Sequence, residues 1–477
     1  MKATERCVDL YKEIPNRNRR SGKAQGYATV FAGLLVFALI GFCAEAQQTG
    51  ETARPSVSLT LPKAVEMAMQ HNRRLRLAQL SVDESKAKET IAKSNYFPHI
   101  TNQSTALYFT ELQGVVIPAG AFGNSAPTGL IPGRTLTLGQ GALDAFTSGT
   151  GLTQPLTQIL RIRAGDRAAA ADVRMAQIDA TDAENSTSLL VHKLYFDILT
   201  EQARLDAAKE SVAAARVTEA ESARAVAEGR SLDVEVLQAH AAMLDQRQTV
   251  LTHQLSIDDS VLQLDDVIGL PLGTQLVLDG GSVGDPPQLP SRAEAFETVL
   301  AHNPKVLSAQ QTVEKAKAGV AAARDAYIPD ITGLARYSYQ SGVPFLVHNF
   351  GSFGGAVTYD LFDGGARGAK LKQAKIQLEI AETQLQQTQS DIRIQISAAY
   401  DRVERLQELV SVVQEALKER TEAARVSTEQ VAQNSQLESA AAKDSAAAFD
   451  TKASLLEAQL GLFLAQNSIQ QMMGERP

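Results

Sequence analysis

The chain has 477 residues, with 46 Lys and Arg against 54 Asp and Glu, 44% apolar and 5% aromatic residues, and no Trp. A net charge of −8 argues against a nucleic-acid binder, because phosphate calls for a basic surface, and the ordinary apolar fraction argues against disorder. Few aromatics among Ala-rich stretches point to an elongated helical protein rather than an enzyme with a large aromatic-lined pocket.

Residues 1–46 read as a secretory signal peptide. A basic segment precedes an apolar run from Tyr27 to Phe42, and Ala44-x-Ala46 follows as a small-residue cleavage site. The run falls short of the roughly 20 residues that a membrane helix needs. Cys43 offers a lipoprotein alternative, against which bulky Phe42 just before it speaks. If cleavage follows Ala46, Cys7 and Cys43 leave with the signal, and the mature chain then needs no disulfide and offers no thiolate metal site.

The remainder is written twice. Leu61–Thr101 matches Arg292–Thr332 at an offset of 231, with fourteen of 41 positions identical, among them Ala64/Ala295, His71/His302, Asn72/Asn303 and Tyr96/Tyr327. Farther along the offset is 205, pairing Tyr195 with Tyr400, Leu232 with Leu437 and Gly269 with Gly474. The first repeat is placed at 47–285, a Pro-rich linker at 286–290 and the second repeat at 291–477.

In each repeat a helix ending at Tyr96-Phe97-Pro98 or Tyr327-Ile328-Pro329 leads into two predicted strands. These are placed at about 99–110 and 145–156, joined by an exposed loop over Gly114–Gly141, and at about 330–340 and 351–361. The last alternates cleanly, with Phe353, Gly355, Val357, Tyr359 and Leu361 on one face and Ser352, Gly354, Ala356, Thr358 and Asp360 on the other. Strands of about ten residues with one apolar and one small-polar face suit a membrane barrel. Four cannot close a cylinder, and open edges in lipid leave backbone groups unpaired, so several chains must share one barrel; three chains give twelve strands.

Proline is absent from 156–270 and from 345–476, and glycine from 166–228 and 369–460. Interior Pro and Gly are what end helices, so each repeat is predicted to hold one very long helix, at about 160–228 and 366–433. Leu194, Ile198, Leu205, Ala208, Val212 and Ala215 form a coiled-coil stripe on the first. Sharp turns follow at Gly229-Arg230-Ser231 and Asn434-Ser435-Gln436, and return helices at about 231–268 and 436–473. Gly and Asn tolerate the left-handed conformation that closes a helix, and Ser231 or Asp233 is predicted to cap the first return helix.

Ala64…His71-Asn72, Ala295…His302-Asn303-Pro304, the two Tyr-x-Pro strand entries, Leu361-Phe362-Asp363-Gly364-Gly365 before the second long helix and the Gly229 turn recur in one order. That order resembles the TolC-type outer-membrane efflux and export-duct family over nearly all of the mature chain. Departures are Arg73 where a Pro is usual, Pro155-Leu156-Thr157-Gln158 at the first long helix and Asn434 in place of a turn glycine. The resemblance implies a mainly α fold with β, the outer-membrane efflux protein fold: a homotrimer with a twelve-stranded barrel and an α-helical tunnel. It implies residence in outer-membrane lipid with extension into the periplasm of a Gram-negative bacterium, no catalytic residues and no cofactor. It also implies a passive exit for small toxic compounds, driven by an inner-membrane transporter through a periplasmic adaptor. It places adaptor docking at Gly229, Arg230, Ser231, Asn434, Ser435 and Gln436, and a carboxylate constriction at Glu235, with Glu438 as the candidate from the second repeat.

Two other functions remain open on the sequence. The exit duct of a type I protein secretion system has the same fold, and an exported coiled-coil scaffold explains the helices but not the paired strands. His71 and His302 lack partners at metal-ligand spacing, and no nucleotide-binding or nucleophile motif is present.

Overall fold

The computed structural model describes residues 56–111, 114–139, 142–283, 287–342, 347–433, 435 and 437–477. The signal segment with both cysteines, Pro286 of the linker, and Asn434 and Gln436 of the second turn lie outside the described residues.

The first half runs β1 (Ser56–Leu59), α1 (Leu61–His71), α2 (Arg73–Ser94) and β2 (His99–Tyr108), then the short strands β3 (Gly114–Ile117), β4 (Asn124–Ser125), β5 (Gly129–Leu130) and β6 (Leu136–Gly139). It continues with β7 (Asp144–Pro155), α3 (Ile159–Ala227), α4 (Asp233–Ile268) and β8 (Gln275–Leu278). The second half runs α5 (Arg292–His302), α6 (Pro304–Asp325), β9 (Asp330–Ser341), β10 (Asn349–Thr358), α7 (Ala366–Ala432) and α8 (Glu438–Met472). At 69 residues, and 1.5 Å per residue, α3 is a rod of roughly 100 Å.

Local chemistry sets the ends. Asn72 and Asn303 cap α2 and α6 with their side-chain oxygens, and Ser291 with Glu294 forms a capping box on α5. Gly269, at φ +78°, closes α4 in the left-handed region. Asp363 opens α7 by accepting from the N–H groups of Gly365 and Arg367, and Arg367 stacks over Tyr359 at 4.7 Å.

The elements lie in three tiers with one lateral order. The strands form one antiparallel sheet, β2-β7-β9-β10. In the next tier α2 packs on α3, α3 on α6 and α6 on α7; in the third, α4 packs on α3, α3 on α8 and α8 on α7. Every tier therefore has α2, β2 or α4 at one flank and α7 or β10 at the other. Arg161 pairs with Asp330, and the Thr157 hydroxyl bonds both the Pro329 carbonyl and the Ile331 N–H, fastening the strand–helix junction of one half to that of the other.

Two hydrophobic clusters sit at the level where α1 and α5 dock. One contains Ala64, Ala68, Val191, Ile198, Leu264 and Ile268; the other contains Ala295, Val299, Ile396, Val403, Ile469 and Met473. Those six pairs are related by the offsets 231 and 205. The bonds recur as well. Tyr195 donates to the Leu59 carbonyl at 2.9 Å and Tyr400 to the Pro290 carbonyl at 2.9 Å.

Two local expectations need correction, and one strand pair was not foreseen. Neither Ser231 nor Asp233 caps α4: the N-cap is Leu232, with extended backbone, and no side chain caps the helix. The Ser231 hydroxyl is instead engaged by the Glu235 carboxylate one turn on. Within Gly114–Gly141, β3 pairs with β6 and β4 with β5, because Val115 opposes Leu138 and Ile117 opposes Leu136, strand formers set among the Gly and Pro residues. The parallel pair β1–β8, which the sequence pattern did not reveal, covers the upper end of the first cluster.

Candidate functional site

The register of the four-stranded sheet sorts its side chains onto two faces. One carries Ile100, Tyr108, Phe146, Leu152, Tyr337, Tyr339, Phe353 and Val357; the other carries Thr101, Gln103, Thr105, Thr147, Thr153, Arg336, Ser352 and Thr358, with Leu107, Leu334 and Phe350 among them. Alternation of this kind separates a lipid-facing from a lumen-facing side. Asn102, Ser104, Ser148 and Thr150 interrupt the apolar face and bond one another, with Asn102 donating to Thr150 at 2.9 Å and Ser104 to Asn102 at 3.0 Å. Their polar atoms are thus met within the sheet, as an apolar solvent requires.

At the far end of the long helices two turns present the predicted tip residues. α3 closes on Gly229 at φ +70°, with the Arg230 N–H bonded to the Ala225 carbonyl at 2.8 Å. The Ser435 N–H bonds the Gln430 carbonyl at 2.9 Å, the same bond 205 residues on. Arg230 is held by Glu228, and a Cβ on Gly229 would meet no atom within 4 Å, so the first turn is open to a partner. Asn434 and Gln436 lie outside the described residues.

Glu235 and Glu438 are exposed in the first turns of α4 and α8, where a carboxylate also complements the helix dipole. Glu235 is joined to Ser231, and Glu438 precedes Ser439, whose buried N–H donates to Glu221 of α3 at 2.9 Å. Farther along the return helix, His240 pairs with Glu219 at 2.8 Å. The last turns of α3 thus hold α4 through Glu219 and α8 through Glu221. Nothing in the sequence marks Glu221, because its partner lies 218 residues away.

Leu232 and Leu437, the N-caps of the two return helices, are 70% and 67% exposed, so each tip shows water a large apolar side chain. The recurrence of leucine at these positions marks them in the sequence. Several turns back from the tips, Ala214, Ala215, Ala239, Ala242, Ala446 and Ala447, with Gln246, Lys443 and Asp450, line a groove of about 440 Å³ along α3 between α4 and α8. Among the described residues no group of three His, Cys, Asp or Glu could hold a metal ion, and no helix is long and apolar enough to cross a membrane.

Known proteins share both sequence and fold. The chain is 26% identical to the outer membrane efflux protein BepC of Brucella suis over 365 residues, 74% of this chain and 72% of the relative. It is 25% identical to the toluene efflux pump outer membrane protein TtgF of Pseudomonas putida over 270 residues, 56% of this chain; it spans only about half of that relative (52%). Among solved structures, the open-state MtrE outer membrane channel of Neisseria gonorrhoeae superposes with a TM-score of 0.69 at 18% identity, over 87% of this chain and 89% of that one. VceC of Vibrio cholerae gives 0.67 at 18% identity, over 87% and 96%. These likenesses place the mainly α fold with its small sheet among TolC-like channels. The outer membrane efflux protein model matches residues 64–270 and again 295–475, so the chain belongs to that family of outer-membrane channel proteins.

Proposed function

We propose that three copies of this chain form a passive outer-membrane exit duct for small toxic compounds. An inner-membrane transporter drives it, and a periplasmic adaptor joins pump to duct at the helical tips. The observation that carries this reading is the shared lateral order of the three tiers. Each is an open four-element layer with the same two flanks free, so β10 of one copy can meet β2 of the next while α7 meets α4 and α2. Cyclic closure satisfies all three tiers with one rotation and leaves no strand edge in lipid.

At the tips, open turn backbone and the exposed Leu232 and Leu437 suit the helical hairpin of an adaptor. Gly229, Arg230, Ser231, Asn434, Ser435 and Gln436 are its docking residues. Glu235 and Glu438 supply carboxylates that, brought together around a threefold axis, attract cations and resist closure. A relative named for toluene efflux supports small solutes over secreted proteins as cargo. The segment 1–46 directs export and is removed.

Fractionation tests the assembly: the protein is expected in outer membranes as a heat-modifiable, SDS-resistant trimer, and a dissolved monomer stable without detergent rejects it. Gly229→Trp tests docking, with export lost and trimer retained; unchanged export rejects that role. Glu235→Ala tests the constriction, and unaltered single-channel conductance and cation preference reject it.

A further inference from the structure

Apart from residues at strand ends, Arg336 is the only charged side chain in β2, β7, β9 and β10. It lies at the middle of β9, opposite Gly151 on β7 and Ser352 on β10, and so on the polar face. An arginine facing lipid at the bilayer midplane costs about 2–4 kcal/mol, and the register spares it that position. Among the described residues no carboxylate pairs with it, whereas Arg161 at the strand–helix junction is paired with Asp330.

The sheet is shaped around this guanidinium. It lies across β7, where a Cβ on Gly149 would come within 2.6 Å of an Nη atom and 2.9 Å of Nε. Gly149 and Gly151 floor a trough of about 480 Å³, and Thr101, Gln103, Arg336 and Ser352 stand around it. Hydroxyl and amide groups thus share the trough, alongside Leu334, with a cation that has no counter-charge among the described residues.

We propose that Arg336 makes this trough an anion-binding station in the barrel lumen, taking phosphate, sulfonate or carboxylate groups of passing solutes. The inference rests on the trimeric-barrel reading, under which the three arginines form a ring at one level. A guanidinium offers two parallel N–H donors to such a group, a geometry that neither lysine nor a hydroxyl reproduces. The ring is opposite in sign to the carboxylates at the tips, so the duct meets solutes with different fields at its two ends.

The test uses the mature chain reconstituted into planar lipid bilayers, with inorganic tripolyphosphate added to each side in turn. Block from the barrel side is expected in the parent chain, with the half-blocking concentration raised about tenfold in Arg336→Gln, the scale of a lost charge-assisted hydrogen bond. Arg336→Lys is expected to fall between them, and Arg336→Gln should also lower the anion-to-cation permeability ratio. SDS-resistant trimer is checked for each variant, and Ser352→Ala, which keeps the charge, is the second probe should Arg336→Gln not assemble, with weaker block expected. Pores that tripolyphosphate blocks equally in parent and variants overturn the station alone. A parent chain that makes no pore overturns the barrel and, with it, the lumen.

Discussion

The side-chain amide of Asn72 donates to the carbonyl of Val267 at 3.1 Å, and its oxygen accepts from the Arg74 N–H at 2.8 Å. One side chain thereby starts α2 and pins the end of α4. Asn303 does the same to Met472 at 2.8 Å and Lys305 at 3.0 Å. Asn72→Ala is expected to lose about 1 kcal/mol for the cap and a similar amount for the unmet Val267 carbonyl, read as a lowered thermal midpoint of detergent-solubilised protein. Asn72→Asp keeps the cap and should fall between parent and alanine variant; an Asn72→Ala midpoint equal to the parent's refutes the joint.

Gly269 packs against His71 so closely that a Cβ would lie 2.6 Å from the His71 Cβ, and its φ is already +78°. Gly229 has a similar φ of +70° with open space around it. Gly229→Ala should therefore carry only the left-handed backbone penalty of about 1–2 kcal/mol, whereas Gly269→Ala adds a collision with a fixed helix. Denaturant midpoints of the two variants compare them directly, and equal losses contradict the packing argument.

Burial between Phe196 and Phe463 pushes the His192 imidazole below its ordinary value, despite the 2.9 Å bond of Nδ1 to the Ser188 carbonyl. The unfolded chain then binds this proton more readily than the folded one. Stability from this site is whole above about pH 6.5 and is lost as pH falls toward and through the lower folded value, at no more than about 1.4 kcal/mol per pH unit. His192→Phe should flatten the acid limb of a plot of thermal midpoint against pH. An unchanged limb assigns the acid sensitivity elsewhere.

Glu221 ties α3 to the first residues of α8 through the Ser439 N–H. Glu221→Ala frees the two hairpins from each other at the tip, with about 0.5–1 kcal/mol lost from the helix terminus it serves. The expected readout is a larger single-channel conductance with the proposed SDS-resistant trimer retained. A conductance equal to the parent's shows that the tie does not set the tip width.

The order of strand pair, very long helix and return helix in each half was legible because offsets of 231 and 205 and proline-free stretches are properties of the chain itself, whereas the break of the leading helix into two at Asn72 and Asn303 was not. Asn72 with Asn303, His71 with His302 and Gly269 with Gly474 stood out as pairs, and the structure gives their reason: they are the parts of one joint, made twice. What the sequence hid depends on distant neighbours. Glu221 reads as one more solvated helix charge until Ser439 is placed beside it. Ser231 has the chemistry of a cap but spends its hydroxyl on Glu235. Arg336 reads as an ordinary strand residue until the register turns it toward Gly149.

The unpaired flanks of β2 and β10 also bear on biogenesis. A single copy entering the bilayer strands two rows of backbone amides and carbonyls in hydrocarbon, where each unmet group costs several kcal/mol. Under the proposed trimeric barrel, insertion awaits encounter between copies, and its rate should climb more steeply than linearly with the amount of newly exported chain.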